Sequence, residues 1–498
     1  MQVRPASPGT SVSGSKGSLA ALSDGYLFVP DSSSNASSPA SAASAFSNYS
    51  EYEKRIALQS HSPGTLDSTE LGLLSHFLTH TSQTIPFDDV DLYALSVGVP
   101  NLAFNSRPVM SSLLALAAAC KSHDLAKQAQ DPLDRQVLGE IRDLLTLADD
   151  HHRISLQHIQ AAVPNSEWHD NVLANAALMV LHTYSSHAIR VYLATAAKRS
   201  GLQLPAHLLP QHSQWIMYTR VAHTASTAVL DSIVKAAAKS LPTKHTPPDP
   251  QSIPRRASHI SPEDGPSPRT RSLFLPLVGS TWSRAVDILR GKTDSLTSHL
   301  DGSEFFAPGD SELHICRETL AVLEQCAASA FSTRDGDDKE EVSTDDAISS
   351  DTNCRVSGWV GRYMVRVTSM TSQRALRRII MSFLNQTPVG YLNLVQSVLE
   401  MSPAETSSGS WSAHDSPATE APTLSTPQLL AMEIFAHWLV LVMLLDGVWW
   451  IGDIGQWELG QVVSLIKSQH WIDQSDAAGT WWPESMYQVK RELTAGDK

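Results

Sequence analysis

The sequence predicts an all-α protein: a multi-helix bundle or array with a disordered N-terminus and long Ser/Pro-rich and acidic inserts. Three observations predict it. Apolar residues recur at three- and four-residue spacing over many stretches. Strand signals are poor throughout, with no run of alternating Val, Ile and Thr and no Asn-Gly hairpin turn. Hydrophobic residues make up 42% of the 498, enough for a core, while charged residues stop at 18%, below the usual quarter. Ser, Thr, Pro and Ala fill the difference, as expected for helical blocks joined by tethers.

Residues 1–64 are rich in Ser, Ala and Pro with little helical periodicity, and are read as disordered. The front half of the helical domain is placed at 65–239. It opens with LGLLSHFL after the possible caps Thr65, Asp67 and Ser68. Pro100 and Pro108 punctuate the next piece. Residues 111–129, dominated by Ala and Leu, read as a helix capped by Ser111 or Ser112. Residues 136–159 follow, with Val137, Ile141, Leu144, Leu145 and Ala148 on one face. Residues 171–193 are apolar nearly all round, hence central, and 214–238 form a further helix.

Residues 240–272 carry seven prolines after Pro242 and read as a disordered linker. A helical segment is placed at 273–334, with helices at 282–289 and 312–331. An acidic insert at 335–355 follows; between residues 335 and 351 it holds eight acidic residues and one Lys. The helical segment 356–401 contains helices at 360–384, basic at Arg374, Arg377 and Arg378, and at 391–401. Residues 402–427 are a second tether. The Trp-rich C-terminal helices occupy 428–498, with helices at 428–445 and 456–466. The expected outcome is one bundle whose Trp-rich tail docks on the front half.

Composition narrows the function. The net charge is −14, and Lys and Arg do not cluster as a duplex-binding surface requires. Direct DNA binding is therefore not expected. Cys120, Cys316, Cys326 and Cys354 are far apart, with no CxxC pair, which fits a reducing compartment and neither a zinc finger nor a disulfide framework. The N-terminus has no apolar signal region. The most apolar stretch, 429–451, is interrupted by Glu433, His437 and Asp446, and a spanning helix needs roughly 20 apolar residues. It reads as a buried core helix, so no membrane span is expected. Phosphate-binding loops, dinucleotide fingerprints, nucleophile elbows and HExxH motifs are absent.

Three groups of residues remain as site candidates. His76 and His80 stand one helical turn apart and could share a metal, but no third ligand lies at motif spacing. They and the pair His151 and His152 are read as exposed or hydrogen-bonded histidines, and no cofactor is expected. Ser258 follows Arg255-Arg256-Ala257, as in a basophilic kinase site. Seven of the twelve tryptophans fall between residues 438 and 482. Packing is the plain reading of that cluster. The sharper one is an apolar pocket in which His437, Trp438, Trp449 and Trp450 hold a lipid-like ligand, His437 and the indole N–H groups bonding a hydroxyl.

Several segments together resemble a known family. They are ELGLLSHFLTHTSQTI (70–85), VPNLAFNSRPVMSSLLALAAACKSHDLA (99–126), HHRISLQHIQAAVPNSEWHDNVLANAALMVLHTYSS (151–186), SQWIMYTRVAHTA (213–225) and AMEIFAHWLVLVMLLDGVWWIGDIGQW (431–457). The chain resembles the fungal-specific regulatory domain of binuclear zinc-cluster transcription factors, and among them sterol-uptake control regulators. The matching features are His76-Phe77, a turn at Leu102-Ala103-Phe104 leading into the Ala-rich helix, Ala436-His437-Trp438, and Trp449-Trp450. The family's six-cysteine cluster has no counterpart here, since the first cysteine is Cys120.

The resemblance implies a regulator in the nucleus that controls RNA polymerase II transcription and is not an enzyme. It implies partners among the transcription machinery or a DNA-binding protein, with DNA reached only indirectly unless a zinc cluster is encoded upstream of Met1. It also implies a possible apolar, sterol-like ligand. Two other classes stay open: a non-catalytic helical scaffold unrelated to transcription, and an α-helical enzyme on an apolar substrate. The enzyme would need titratable groups converging in a tight cavity.

Overall fold

Helix α1 (Ser68–His76) starts where the Asp67 carboxylate accepts the Glu70 backbone N–H at 2.8 Å and the Glu70 side chain accepts that of Asp67 at 2.9 Å. This reciprocal cap satisfies two donors that a helix start leaves orphaned. It singles out Asp67 among the three candidate caps. The structure, a computed structural model, describes residues 66–162, 169–237, 265–298, 310–332, 357, 359–360, 363, 376–401, 424–469 and 481–495. The 1–64 region, the acidic insert, most of both tethers, Ser258, Cys354 and Trp471 lie outside the described residues. Those described are all-α, with no strand among them.

After α1 the chain widens into a π-helical turn, Phe77–Thr81. The short α2 (Asp89–Tyr93) is capped by Asp88, whose side chain accepts from Val90 N and Asp91 N. Then come α3 (Val99–Asn105) and α4 (Arg107–Gln128). Leu102, Ala103 and Phe104, expected as a turn, lie inside α3, and the break falls at Ser106, whose backbone is extended. Pro100 and Pro108 stand in the first turns of these helices, where a missing N–H costs nothing. Ser111 and Ser112 are therefore not caps. Both are buried, and the Ser112 hydroxyl lies 2.7 Å from that of Ser155.

That contact ties α4 to α5 (Arg135–Ala162), which buries Ile141, Leu144, Leu145 and Ala148 as expected. Helix α6 (His169–Ser200) ends at Gly201, whose positive φ of 65° suits a residue without Cβ. Helix α7 (Gln214–Ala237) packs beside it. His151 and His152 are not exposed: both are buried, and His152 stacks on His182 with ring centroids 4.6 Å apart. Burial pushes the His152 imidazole down to about 4.

The rear half contains α8 (Leu275–Thr297), longer than expected, α9 (Asp310–Ser332), α10 (Leu376–Gln386) and α11 (Val389–Met401). Its axis is α12 (Thr426–Val442), with Ser425 and Gln428 as a second reciprocal cap and Pro427 in the first turn. A 3-10 turn, Met443–Leu445, extends it. Thr426–Leu445 is long and apolar enough to cross a membrane, but 94% of its apolar window is covered by the rest of the chain. Helices α13 (Ile454–Ser468) and α14 (Trp482–Ala495) close the fold; α14 has no counterpart in the sequence reading.

One hydrophobic core runs from Leu73 to Met486 and joins both halves. The Trp-rich tail does dock on the front half: Trp438 stacks on Trp215 at 6.1 Å, and Trp450 lies 5.9 Å from Tyr184.

The linker ends earlier than its prolines imply. Gly265, Pro266 and Thr270 are buried. Asp446 accepts from the Ser267 backbone N–H and hydroxyl, both at 2.8 Å, and from the Thr270 hydroxyl at 2.7 Å. Lys490, itself buried, neutralises that carboxylate at 2.9 Å. Beside it, Gly447 N donates to Gly265 O at 2.9 Å. A Cβ on Gly447 would meet Gly265 O at 2.8 Å and Ser267 N at 2.9 Å, both backbone atoms. Gly447→Ala is expected to cost about 1–3 kcal/mol in urea unfolding. Gly72→Ala, exposed and unobstructed in α1, should instead gain up to about 1 kcal/mol.

Candidate functional site

Where α6, α7 and α10 meet, their small residues leave a cavity of about 100 Å³. Helix α6 presents Ala176, Ala177, Val180, Leu181 and Tyr184, a stripe at helical spacing whose two alanines, with only a methyl each, leave room beside them. Thr219, Ala222, His223 and Ser226 face it from α7. Trp450, from the turn after α12, forms part of the wall, so both halves of the chain line the space.

Charge enters from α10. Arg377 and Arg378 are both mostly buried, and Asp91 of α2 is the carboxylate between them. Arg378 Nη2 donates to Asp91 Oδ1 at 2.5 Å, and Arg377 Nη2 stands 3.5 Å from Asp91 Oδ2. Arg377 Nη2 also donates to Ile85 O at 2.9 Å, and Asp91 Oδ2 accepts the Phe87 N–H at 3.1 Å. Asp88 lies 3.8 Å from Arg378 Nη1. Buried charges persist only when paired and hydrogen-bonded in this way.

Three polar atoms in the wall residues are buried without a hydrogen-bond partner among the described residues: His223 Nδ1, Asn385 Oδ1 and Trp450 Nε1. Native proteins satisfy the great majority of such atoms, so each calls for a reason. Burial, with Arg220 nearby, pushes His223 down to about 4, so its ring is neutral near pH 7. Tyr184 Oη is hydrogen-bonded to Thr219 Oγ1 at 3.1 Å, and burial raises its pKa. The site is an apolar chamber with an arginine floor and unsatisfied polar atoms in its walls. It suits a small molecule with an apolar body and a hydrogen-bonding end.

Of the four residues expected to bind a ligand, only Trp450 lines this cavity. His437 is buried against Trp482, rings 5.3 Å apart and nearly parallel, and its Nδ1 donates to Glu433 O at 2.8 Å. Trp438 is fully buried and donates to Ile380 O at 2.9 Å. Trp449 packs on His123, with ring centroids 4.9 Å apart. Their aromatic area is used in packing. Asp91 escaped the sequence reading, and Arg377 and Arg378 entered it only as basic residues of a helix, not as part of a site. The available signal was two adjacent arginines leading into the apolar run Ile379-Ile380-Met381.

The fold and the site thus define a helical domain with a partly open, mostly apolar pocket between its helices. Comparison with protein families, with curated proteins and with solved structures finds no match.

Proposed function

We propose that the helical unit is the effector domain of a transcription regulator of the zinc-cluster type. In this reading it works in the nucleus on RNA polymerase II transcription, reaches DNA through a DNA-binding partner, and responds to a small apolar ligand without turning it over. One observation supports the reading: the pocket is lined jointly by front-half helices α6 and α7 and by rear-half α10 and Trp450. A ligand shifts a conformational equilibrium only by binding its states differently. A chamber between two packed halves gives that difference, because filling it alters how the halves meet. About 100 Å³ is below the roughly 300–1,000 Å³ of drug-sized ligand sites. A sterol-sized molecule therefore enters only as the walls part.

The test fuses the full chain to a heterologous DNA-binding domain and reads a reporter, with and without added sterol or a small apolar carboxylic acid. Ligand-dependent reporter output supports the reading; a chain excluded from the nucleus with an unchanged reporter sinks it. In vitro, Trp450 in the wall should report ligand as a saturable fluorescence change. His223→Leu removes an unpartnered buried nitrogen, so it should stabilise the ligand-free protein by about 1 kcal/mol while weakening ligand binding about tenfold, as the loss of one hydrogen bond implies.

The same cavity favours one rival. Asp91, His223 and Tyr184 are titratable groups in one tight space, as an α-helical enzyme would need. Against it, Asp91 is occupied by two arginines and the Phe87 amide. Chemical conversion of a bound ligand, read by mass spectrometry, would favour the enzyme.

A further inference from the structure

His76 and His80 lack a third ligand in sequence; the fold supplies one. Asp124 of α4 sits between them, its Oδ2 lying 3.4 Å from His76 Nε2 and 3.1 Å from His80 Nε2. All three ligand atoms lie within 4.8 Å of one another. Zinc bonds of roughly 2.0–2.1 Å at tetrahedral angles hold neighbouring ligand atoms about 3.3 Å apart, close to both measured edges.

The surroundings also fit a metal. His76 Nδ1 is 3.1 Å from Thr81 Oγ1, a contact that fixes the ring and turns Nε2 towards Asp124. Metal-binding histidines are usually held this way through their second nitrogen. The π-helical turn Phe77–Thr81 begins just after His76 and carries His80. Such turns are rare and concentrate at functional sites. The other Asp124 oxygen lies 3.6 Å from His123 Nδ1. His80 is 47% exposed, which leaves one side of the cluster open to water.

We propose that His76, His80 and Asp124 bind one divalent transition-metal ion of the zinc class, with a fourth position open to solvent. Two imidazoles and one carboxylate suit zinc and its first-row neighbours rather than the all-oxygen preferences of magnesium or calcium. The site pins the α1 end and its π turn onto α4. His123, adjacent in sequence to Asp124, packs on Trp449, so an ion here sits near a fluorescent reporter. The site is separate from the cavity and does not depend on the regulatory reading.

The experiment uses the full chain, stripped with a chelator, titrated with Zn²⁺ by calorimetry and with Co²⁺ by visible absorption. Wild type should take up one tight equivalent, and Co²⁺ should give the intense bands of a tetrahedral site. His80→Ala, at a half-exposed position, and Asp124→Asn should each abolish that equivalent while leaving the far-ultraviolet dichroism unchanged. Thr81→Val should weaken it about tenfold. An equivalent that persists in His80→Ala belongs to other histidines and overturns the proposal. So does a wild type with no saturable uptake, in which the three groups form only an ion-pair cluster.

Discussion

Replacing Glu458 by Ala is expected to lower the unfolding free energy by about 3–5 kcal/mol, the usual cost of breaking a buried charge pair from one side. Glu458 is 0% exposed on α13, and its two oxygens accept from His187 Nε2 of α6 and His212 Nδ1, each at 2.8 Å. An ionised carboxylate only accepts, so both rings must donate. Burial alone would raise the Glu458 carboxyl, but the charge of His212 and the hydrogen bonds from both histidines outweigh it and hold it at about 2. Burial works against His212 as well, yet the Glu458 charge raises it above its ordinary value. His187, where burial outweighs the pull of Glu458, is lowered and donates as the neutral ring.

The pH dependence follows from these directions. A carboxyl lowered by folding contributes stability above its unfolded pKa of about 4.3, lost as pH falls towards 2. A histidine raised by folding contributes below its unfolded value of about 6.5, lost as pH rises through the raised one. The gap between wild type and Glu458→Ala should thus be widest between about pH 4.5 and 6.5 and shrink on both sides. Urea unfolding across pH 3–9, followed by tryptophan fluorescence, reads this directly. A gap that does not vary with pH would show that the carboxylate is not paired as described.

Trp438→Ala should have a comparable effect, a loss of about 3–5 kcal/mol. The indole is fully buried in α12, between Trp215 of α7 at 6.1 Å and Phe383 of α10 at 5.3 Å, both nearly parallel to it. Phe435 is 5.5 Å away. Truncation removes the centre of a stack that joins three helices, and rigid neighbours cannot collapse into the space. Trp438→Phe keeps most of the area but leaves Ile380 O without the indole N–H, and should cost about 1–3 kcal/mol. If Trp438→Ala unfolds within 1 kcal/mol of wild type, the tail does not hold the halves together.

Much of the architecture was legible along the chain because helices are local. The spacing of Ile141, Leu144, Leu145 and Ala148 marks the buried face of α5 without reference to any neighbour. The cap at Asp67 involves a partner three residues away. Errors came where a local sign has two meanings. Proline marks a break, but it also suits a first helical turn, as Pro100, Pro108 and Pro427 do. Ser111 resembles a cap but serves as a small buried contact. The proline-rich linker masked 265–272, whose docking depends on a carboxylate far along the chain.

The candidate sites were much less visible. His76 and His80 could be paired by eye because one helical turn separates them. Asp124, Asp91 opposite Arg377 and Arg378, and Glu458 between His187 and His212 join different helices. Sequence alone determined that this chain forms amphipathic and fully apolar helices, where several of them run, and that a tryptophan-rich segment had to be covered. Tertiary structure alone decided which charges meet, where a cavity remains, and that the tryptophans fill space rather than line it. The physical reason is range: helix formation depends on neighbours three or four residues apart, whereas convergence of side chains depends on how helices cross, which is set by the packing of the whole core.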